Sequence, residues 1–210
     1  MRFTRMLPPT LNMQRALGLA VVAVLVTACG DSSVAPEARP RTASVNRPVL
    51  DKLVGSATIT YNPNETLSAN VGGQNSIYIP ANAICEIGTS GYGPSMWDKP
   101  CTASTRPITI TAKSWLDDKG HPYIQFQPNL RFLPNKWVIL YVADNKAVLD
   151  GRARIVYCPD SGSSCIDEAK TDPTLFTFHW ANGVFRRIKH FSGYNVAAGD
   201  EDRTEEAFGW

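Results

Sequence analysis

Apolar and polar residues alternate along this chain in short runs, and the alternation seldom lasts more than a few positions. Leu67, Ala69 and Val71 share one face of an extended segment at 66–71, and Ile77 and Ile79 share one face of 75–80. Gly72-Gly73 lies between them, where a tight hairpin needs positive φ. Ile108, Ile110 and Ala112 alternate with Thr109, Thr111 and Lys113 over 107–113, and Ile124 and Phe126 fall together over 123–127. Segment 136–142 is apolar at both parities, as expected of a central strand. Further strands are predicted at 57–62, 154–158, 175–180, 184–189 and 192–197, and Asp117-Asp118-Lys119-Gly120 reads as a turn. No window sustains the period of an α-helix. Many short strands at this spacing predict an all-β fold, an antiparallel β-sandwich forming one domain over 55–198.

Ahead of the strands the pattern changes. Arg2, Arg5 and Arg15 precede an apolar run at 16–28 that ends Leu25-Val26-Thr27-Ala28-Cys29. Crossing a bilayer takes about 20 apolar residues, so the run is too short for a membrane helix. Basic, then apolar, then small residues are the parts of a secretory signal. Met13-Gln14-Arg15 would open a compact signal by itself, so Met13 competes with Met1 as the start. With Cys29 directly after the small residues, segment 1–28 resembles the signal peptide of bacterial lipoproteins. The resemblance implies cleavage before Cys29, a lipid on its sulfur and an acylated amine, with the membrane as partner and the cell envelope as location. Glycine rather than aspartate at position 30 implies outer-membrane sorting, by similarity to enterobacterial lipoproteins. From Gly30 to about Leu50 the chain is rich in Ser, Pro and Arg without apolar periodicity, which predicts a flexible tether within 29–54. Residues 199–210 read as an acidic, frayed tail, although Phe208 and Trp210 could dock.

Charge follows from the signal. The whole chain carries 21 Lys+Arg against 19 Asp+Glu, a formal +2. Removing 1–28 takes away three arginines and no acids, leaving 18 bases against 19 acids, or −1. A balance so near zero gives no electrostatic case for nucleic acid. Once Cys29 is set aside, Cys85, Cys101, Cys158 and Cys165 remain, and an even count in an exported chain predicts disulfides. Three pairings are open; proximity in sequence favours 85–101 with 158–165. The spacings are not C-x-x-C and no histidine stands near either pair, so neither a metal site nor a cofactor is predicted.

Several motifs fall in a definite order: Ser76-Ile77-Tyr78-Ile79-Pro80-Ala81-Asn82-Ala83-Ile84, then Pro107-Ile108-Thr109-Ile110-Thr111, then Phe126-Gln127-Pro128-Asn129-Leu130-Arg131-Phe132. Lys136-Trp137-Val138-Ile139-Leu140-Tyr141-Val142 and His190-Phe191-Ser192-Gly193-Tyr194 complete the set. This order resembles the ZU-five domain, the β-sandwich shared by zonula-occludens scaffolds, netrin receptors and ankyrins, and most of all its bacterial lipoprotein copies. The resemblance covers about 65–143 and 184–197. It implies a non-enzymatic interaction module whose partner is a protein or glycan of the envelope. The 85–101 insertion and the stretch 144–181 depart from it.

Three places carry candidate chemistry. His190-Phe191-Ser192 is similar to the self-cleaving site of some ZU-five proteins; there His190 would take the Ser192 proton while its oxygen attacks the Phe191 carbonyl. The competing reading is a closing strand with a packed phenylalanine and a hydrogen-bonded serine. The 86–100 loop presents Tyr92, Met96 and Trp97 among glycines and between cysteines, which suits a contact patch for protein or glycan unless the rings pack on the sandwich. Arg186, Arg187 and Lys189 read as a basic patch on a solvated strand face. His121 sits beside a turn, His179 in an aromatic strand. Gly88-Thr89-Ser90-Gly91-Tyr92 lacks the last glycine of a nucleophile elbow.

Overall fold

The computed structural model describes residues 44–145, 153–160 and 164–197. Cys29, the signal segment, the stretch 30–43 and the acidic tail lie outside the described residues. The strands are β1 (Ser44–Asn46), β2 (Leu50–Tyr61), β3 (Leu67–Gly72), β4 (Asn75–Ile79), β5 (Ile108–Asp117) and β6 (Pro122–Gln127). They continue with β7 (Val138–Ala143), β8 (Arg154–Cys158), β9 (Ser164–Ile166), β10 (Thr177–Trp180), β11 (Gly183–Ile188) and β12 (Gly193–Ala197). The larger sheet runs β1-β9-β8-β12-β6-β5-β2 and the smaller β10-β11-β7-β4-β3. The pairings are antiparallel, and the two sheets stack as a β-sandwich, as the alternation predicts.

The main core fills the space between the sheets. Ile77 and Ile79 of β4, Leu140 and Val142 of β7, and Val184 and Ile188 of β11 meet Ile110, Ile124, Phe126 and Tyr194 of the larger sheet. A second cluster lies on the other side of the larger sheet, where Val45, Val156, Cys158, Cys165 and Ala197 pack with Tyr123 and Trp115. β8 therefore buries Ile155 and Tyr157 in one cluster and Val156 and Cys158 in the other. β7 is central as expected, with Leu140 opposite Arg186 on one side and Ile77 on the other.

Order begins earlier than the expected boundary at 55. β1 and the start of β2 fall inside the predicted tether 29–54. β1 is three residues long and pairs with β9 over Ser44↔Ile166, Val45↔Cys165 and Asn46↔Ser164. Val45 alone is buried there, and the Arg47 guanidinium donates to the Pro159 carbonyl at 2.7 Å. A single apolar residue leaves no period to read, so backbone pairing and one side-chain clamp define this segment. The first turns of β2 are exposed and bulged, with register shifts at Leu50/Lys52 and Leu53/Gly55. At Gly55 the chain passes so close to the Gly72-Gly73 hairpin that a Cβ would lie 2.8 Å from the Gly73 nitrogen.

Both disulfides form with the local pairing, Cys85–Cys101 and Cys158–Cys165. No helix among the described residues is long and apolar enough to cross a membrane.

Candidate functional site

Two regions hold side chains that packing alone does not require. The first forms where the 86–100 loop closes over β11 and β12. The Cys85–Cys101 bridge ties the loop at its base, and Arg131 ties it from beneath. The nearly buried Arg131 guanidinium donates to the carbonyls of Met96 at 2.6 Å, Ser90 at 2.8 Å and Lys99. Held this way, Trp97 folds back and stacks on His190, with ring centroids 3.9 Å apart and planes within 16°. Trp97 is buried, Met96 half-buried, and Tyr92 stands edge-on to Trp97 at 4.8 Å with part of its ring in solvent.

His190 has no solvent contact. Its Nε2 faces the Glu168 carboxylate at 2.9 Å. Nδ1 lies 3.3 Å from the Tyr194 hydroxyl and 3.4 Å from that of Tyr92. Glu168 begins a one-turn 3-10 segment, Glu168–Lys170, capped by the Asp167 side chain accepting from the Ala169 N–H. That turn carries two carboxylates to the sandwich edge. Asp167 meets Arg154 at 3.1 Å and Arg186 at 3.4 Å, and Glu168 meets Arg186 at 3.6 Å. Arg186 also donates to the Ile155 carbonyl. Lys189 pairs with Asp98 of the loop and with Asp172.

The basic stretch is thus not a solvated face: Arg186, Arg187 and Lys189 are all buried. β11 alternates Val184, Arg186 and Ile188 inward, so Arg186 enters the sandwich and survives there only because the Asp167-Glu168 turn meets it. Burial opposes charge on Asp172, yet hydrogen bonds from Lys189 and Thr174 outweigh it and hold the carboxyl below its usual range. Burial likewise opposes charge on Lys189, and Asp172 and Asp98 raise it above the ordinary lysine value. Burial, with the negative surroundings of Asp160 and Glu168, pushes the Tyr92 hydroxyl well up, so it remains a donor. Beside this network lies a cleft of about 550 Å³, lined by Trp97, Asp98, Tyr157, Glu168, Asp172 and Leu175.

Around the His190-Phe191-Ser192 motif the Phe191 ring is fully buried, stacked on Phe126 at 4.4 Å and edge-on to Phe132 at 4.9 Å. The Phe191 carbonyl accepts from the Tyr92 hydroxyl. The Ser192 hydroxyl is within hydrogen-bonding reach of Tyr92 and Tyr157. Tyr92, a contact candidate from the sequence, is 39% exposed and also donates to the central carbonyl of the motif, that of Phe191. Glu168, Tyr157 and Arg131 complete this region and carry no sequence signal, because each arrives from a separate element.

His121 and His179 serve locally: His121 Nδ1 meets Asp144 at 2.7 Å, and His179 Nε2 meets the Ala153 carbonyl at 2.6 Å. Among the described residues no group of three or more His, Cys, Asp or Glu side chains is arranged to hold a metal ion.

The second region is the outer face of the smaller sheet, which the sequence reading missed. Register places Tyr141, Phe185 and Phe178 side by side across β7, β11 and β10. Phe178 stacks on Phe185 at 4.9 Å and 6°, Tyr141 leans on Phe185 at 4.6 Å, and Phe176 joins Phe178 to Trp137. Trp180 is 69% exposed and Trp137 55%. The Arg187 guanidinium lies over the Trp137 ring, 5.4 Å from its centroid, and donates to the Pro134 carbonyl at 2.7 Å. The five strands of this sheet contain no aspartate or glutamate, but two arginines and one histidine.

Comparison of the chain with protein-family models, with curated proteins and with solved structures finds no match.

Proposed function

We propose that the chain is a bacterial envelope lipoprotein, acylated at Cys29, whose ZU-five-like β-sandwich is a non-enzymatic interaction module. One observation carries the interaction reading: a contiguous aromatic face, free of carboxylates, is open to solvent on the smaller sheet. Exposed apolar patches of this kind mark contact surfaces, since leaving several large rings in water opposes folding without return. The signal-like segment supports the anchor, and the two disulfides support an oxidising compartment. The test combines an acyl label with a cross-linker. Cells given an alkyne fatty acid should label the chain, and Cys29→Ser should abolish the label. A photo-reactive residue replacing Phe178 should give adducts in the native envelope, whereas the same residue replacing the exposed Lys113 on β5 should not. An unlabelled wild-type chain removes the anchor; equal or absent adducts at the two positions remove the interaction face.

A second reading is favoured by one contact. The Tyr92 hydroxyl donates to the Phe191 carbonyl oxygen, where negative charge would develop if Ser192 attacked that carbon. In that reaction the Ser192 oxygen bonds to the Phe191 carbonyl carbon and the Phe191–Ser192 C–N bond breaks. The hydroxyl proton passes to the released amine. Water then opens the ester to a Phe191 carboxylate and a restored Ser192 hydroxyl. A denaturing gel decides: self-cleavage predicts two fragments that Ser192→Ala merges into one. A single band from both proteins removes this reading and leaves Tyr92 and Ser192 as packed, hydrogen-bonded residues.

A further inference from the structure

We infer that the aromatic face of the smaller sheet is a bilayer-docking surface, occupied by the headgroup–acyl boundary of the membrane. The inference rests on the reading that Cys29 is acylated, and it names the partner of the face on which the interaction reading stands. Three observations on this molecule point to lipid.

Charge is the first. The whole sheet lacks carboxylates, while Arg187 and Lys136 flank Trp137 at its margin. The mature chain has 19 acids, and none of them falls in these five strands. Arg186 turns inward to Asp167 and Glu168, and Arg187 is buried over Trp137, so the exposed face is nearly uncharged, and a face without carboxylates meets an anionic phosphate layer without repulsion. Residue type is the second. Trp137, Trp180, Tyr78 and Tyr141 have amphipathic rings that settle at the level of headgroups, and the half-buried Lys136 beside Trp137 has a stem long enough to keep its charge among phosphates. Reach is the third. Described structure starts at Ser44, fifteen positions after Cys29. Fifteen residues span at most about 50 Å even when fully extended, so an acylated Cys29 limits how far Ser44 can lie from the bilayer. A weak surface contact is then supplied at high effective concentration.

The test uses the full chain, purified with its native modification and placed in vesicles of phosphatidylethanolamine and phosphatidylglycerol with brominated acyl chains. Bromines quench tryptophan only at short range. Intact mass of the same preparation reports whether Cys29 is acylated. Wild-type fluorescence should be quenched. With W210F in every protein compared, W137F/W180F should lose most of that quenching, because the remaining Trp97 and Trp115 lie away from the face. F178D keeps both fluorophores, adds a carboxylate at an exposed position, and should also lose quenching with an unchanged urea midpoint. Acylated Cys29 without quenching overturns the inference while the anchor reading stands. Bare Cys29 overturns the anchor reading; the docking face then survives only if added phosphatidylglycerol vesicles still quench Trp137 and Trp180. Quenching that persists in W137F/W180F places another surface on the lipid and overturns it. Quenching that appears only when residues 199–210 are removed gives the face to the acidic tail and overturns it too. An unquenched face that holds an insoluble glycan, or that pairs two copies in sedimentation, goes to those partners instead.

Discussion

Arg131 and Arg186 are both nearly closed to solvent, yet they satisfy their charges differently. Arg186 meets carboxylates, Asp167 at 3.4 Å and Glu168 at 3.6 Å, so it is part of an ion-pair network at the sandwich edge. Arg131 meets carbonyls, those of Ser90, Met96 and Lys99, and so acts as a fork that shapes a loop. Neither role shows in the sequence, where Arg131 stands alone between Leu130 and Phe132 and Arg186 adjoins Arg187. The clearest consequence concerns Arg131. Arg131→Met should keep the apolar stem but drop these charge-assisted hydrogen bonds, costing about 2–4 kcal/mol. Trp97 should leave His190, and its emission should shift to the red. Urea unfolding followed by tryptophan fluorescence reads both effects. An unchanged midpoint would show that the disulfide alone holds the loop.

At the scale of elements, the strands of the core were legible because one face of each is apolar and the period of two is visible. β8 lies over the expected 154–158, β4, β6 and β12 differ from expectation by a residue at one end, and β3 and β11 are shifted by one residue. β1 and β9 were not legible. Each has three residues, and pairing with each other, not hydrophobic alternation, creates them. The 3-10 turn that delivers Glu168 was hidden for a similar reason, since one turn has no period. β5 runs on to Asp117 because Ser114, Trp115 and Leu116 find partners on both β2 and β6. The 86–100 loop is the element most separable from the sandwich. Replacing Cys85 and Cys101 together with serine should lower stability by about 3 kcal/mol on the chain-entropy model. Hydrogen exchange should rise within 86–100 and stay unchanged in β5 and β6. Equal acceleration in all three would mean that the bridge also organises the sheets.

At the scale of the molecule, the described residues form a sandwich whose two outer faces differ. The outer side of the larger sheet gains a second apolar cluster around the Cys158–Cys165 bridge and β1. The outer side of the smaller sheet gains aromatic rings left in contact with water. Among the described residues that asymmetry gives the sandwich two unlike faces. The buried His190 network sits at the edge between sheets, under a loop, and its cleft is separate from the aromatic face in its lining residues.

The all-β class, the main strands and the central place of 136–142 were legible in the sequence, because alternation and turn residues are properties of short segments; cysteine spacing favoured the local disulfide pairing, and the fold settled it. The sequence could not determine which side of an apolar-rich strand turns outward. In 136–142, 175–180 and 184–189 both parities carry large apolar residues, so the period of two marks two faces without saying which is the core. Only the stacking of the second sheet decides that. It buries Leu140, Val184 and Ile188, and in doing so sends Phe178, Trp180 and Phe185 outward and draws Arg186 inward to the carboxylates of a distant turn.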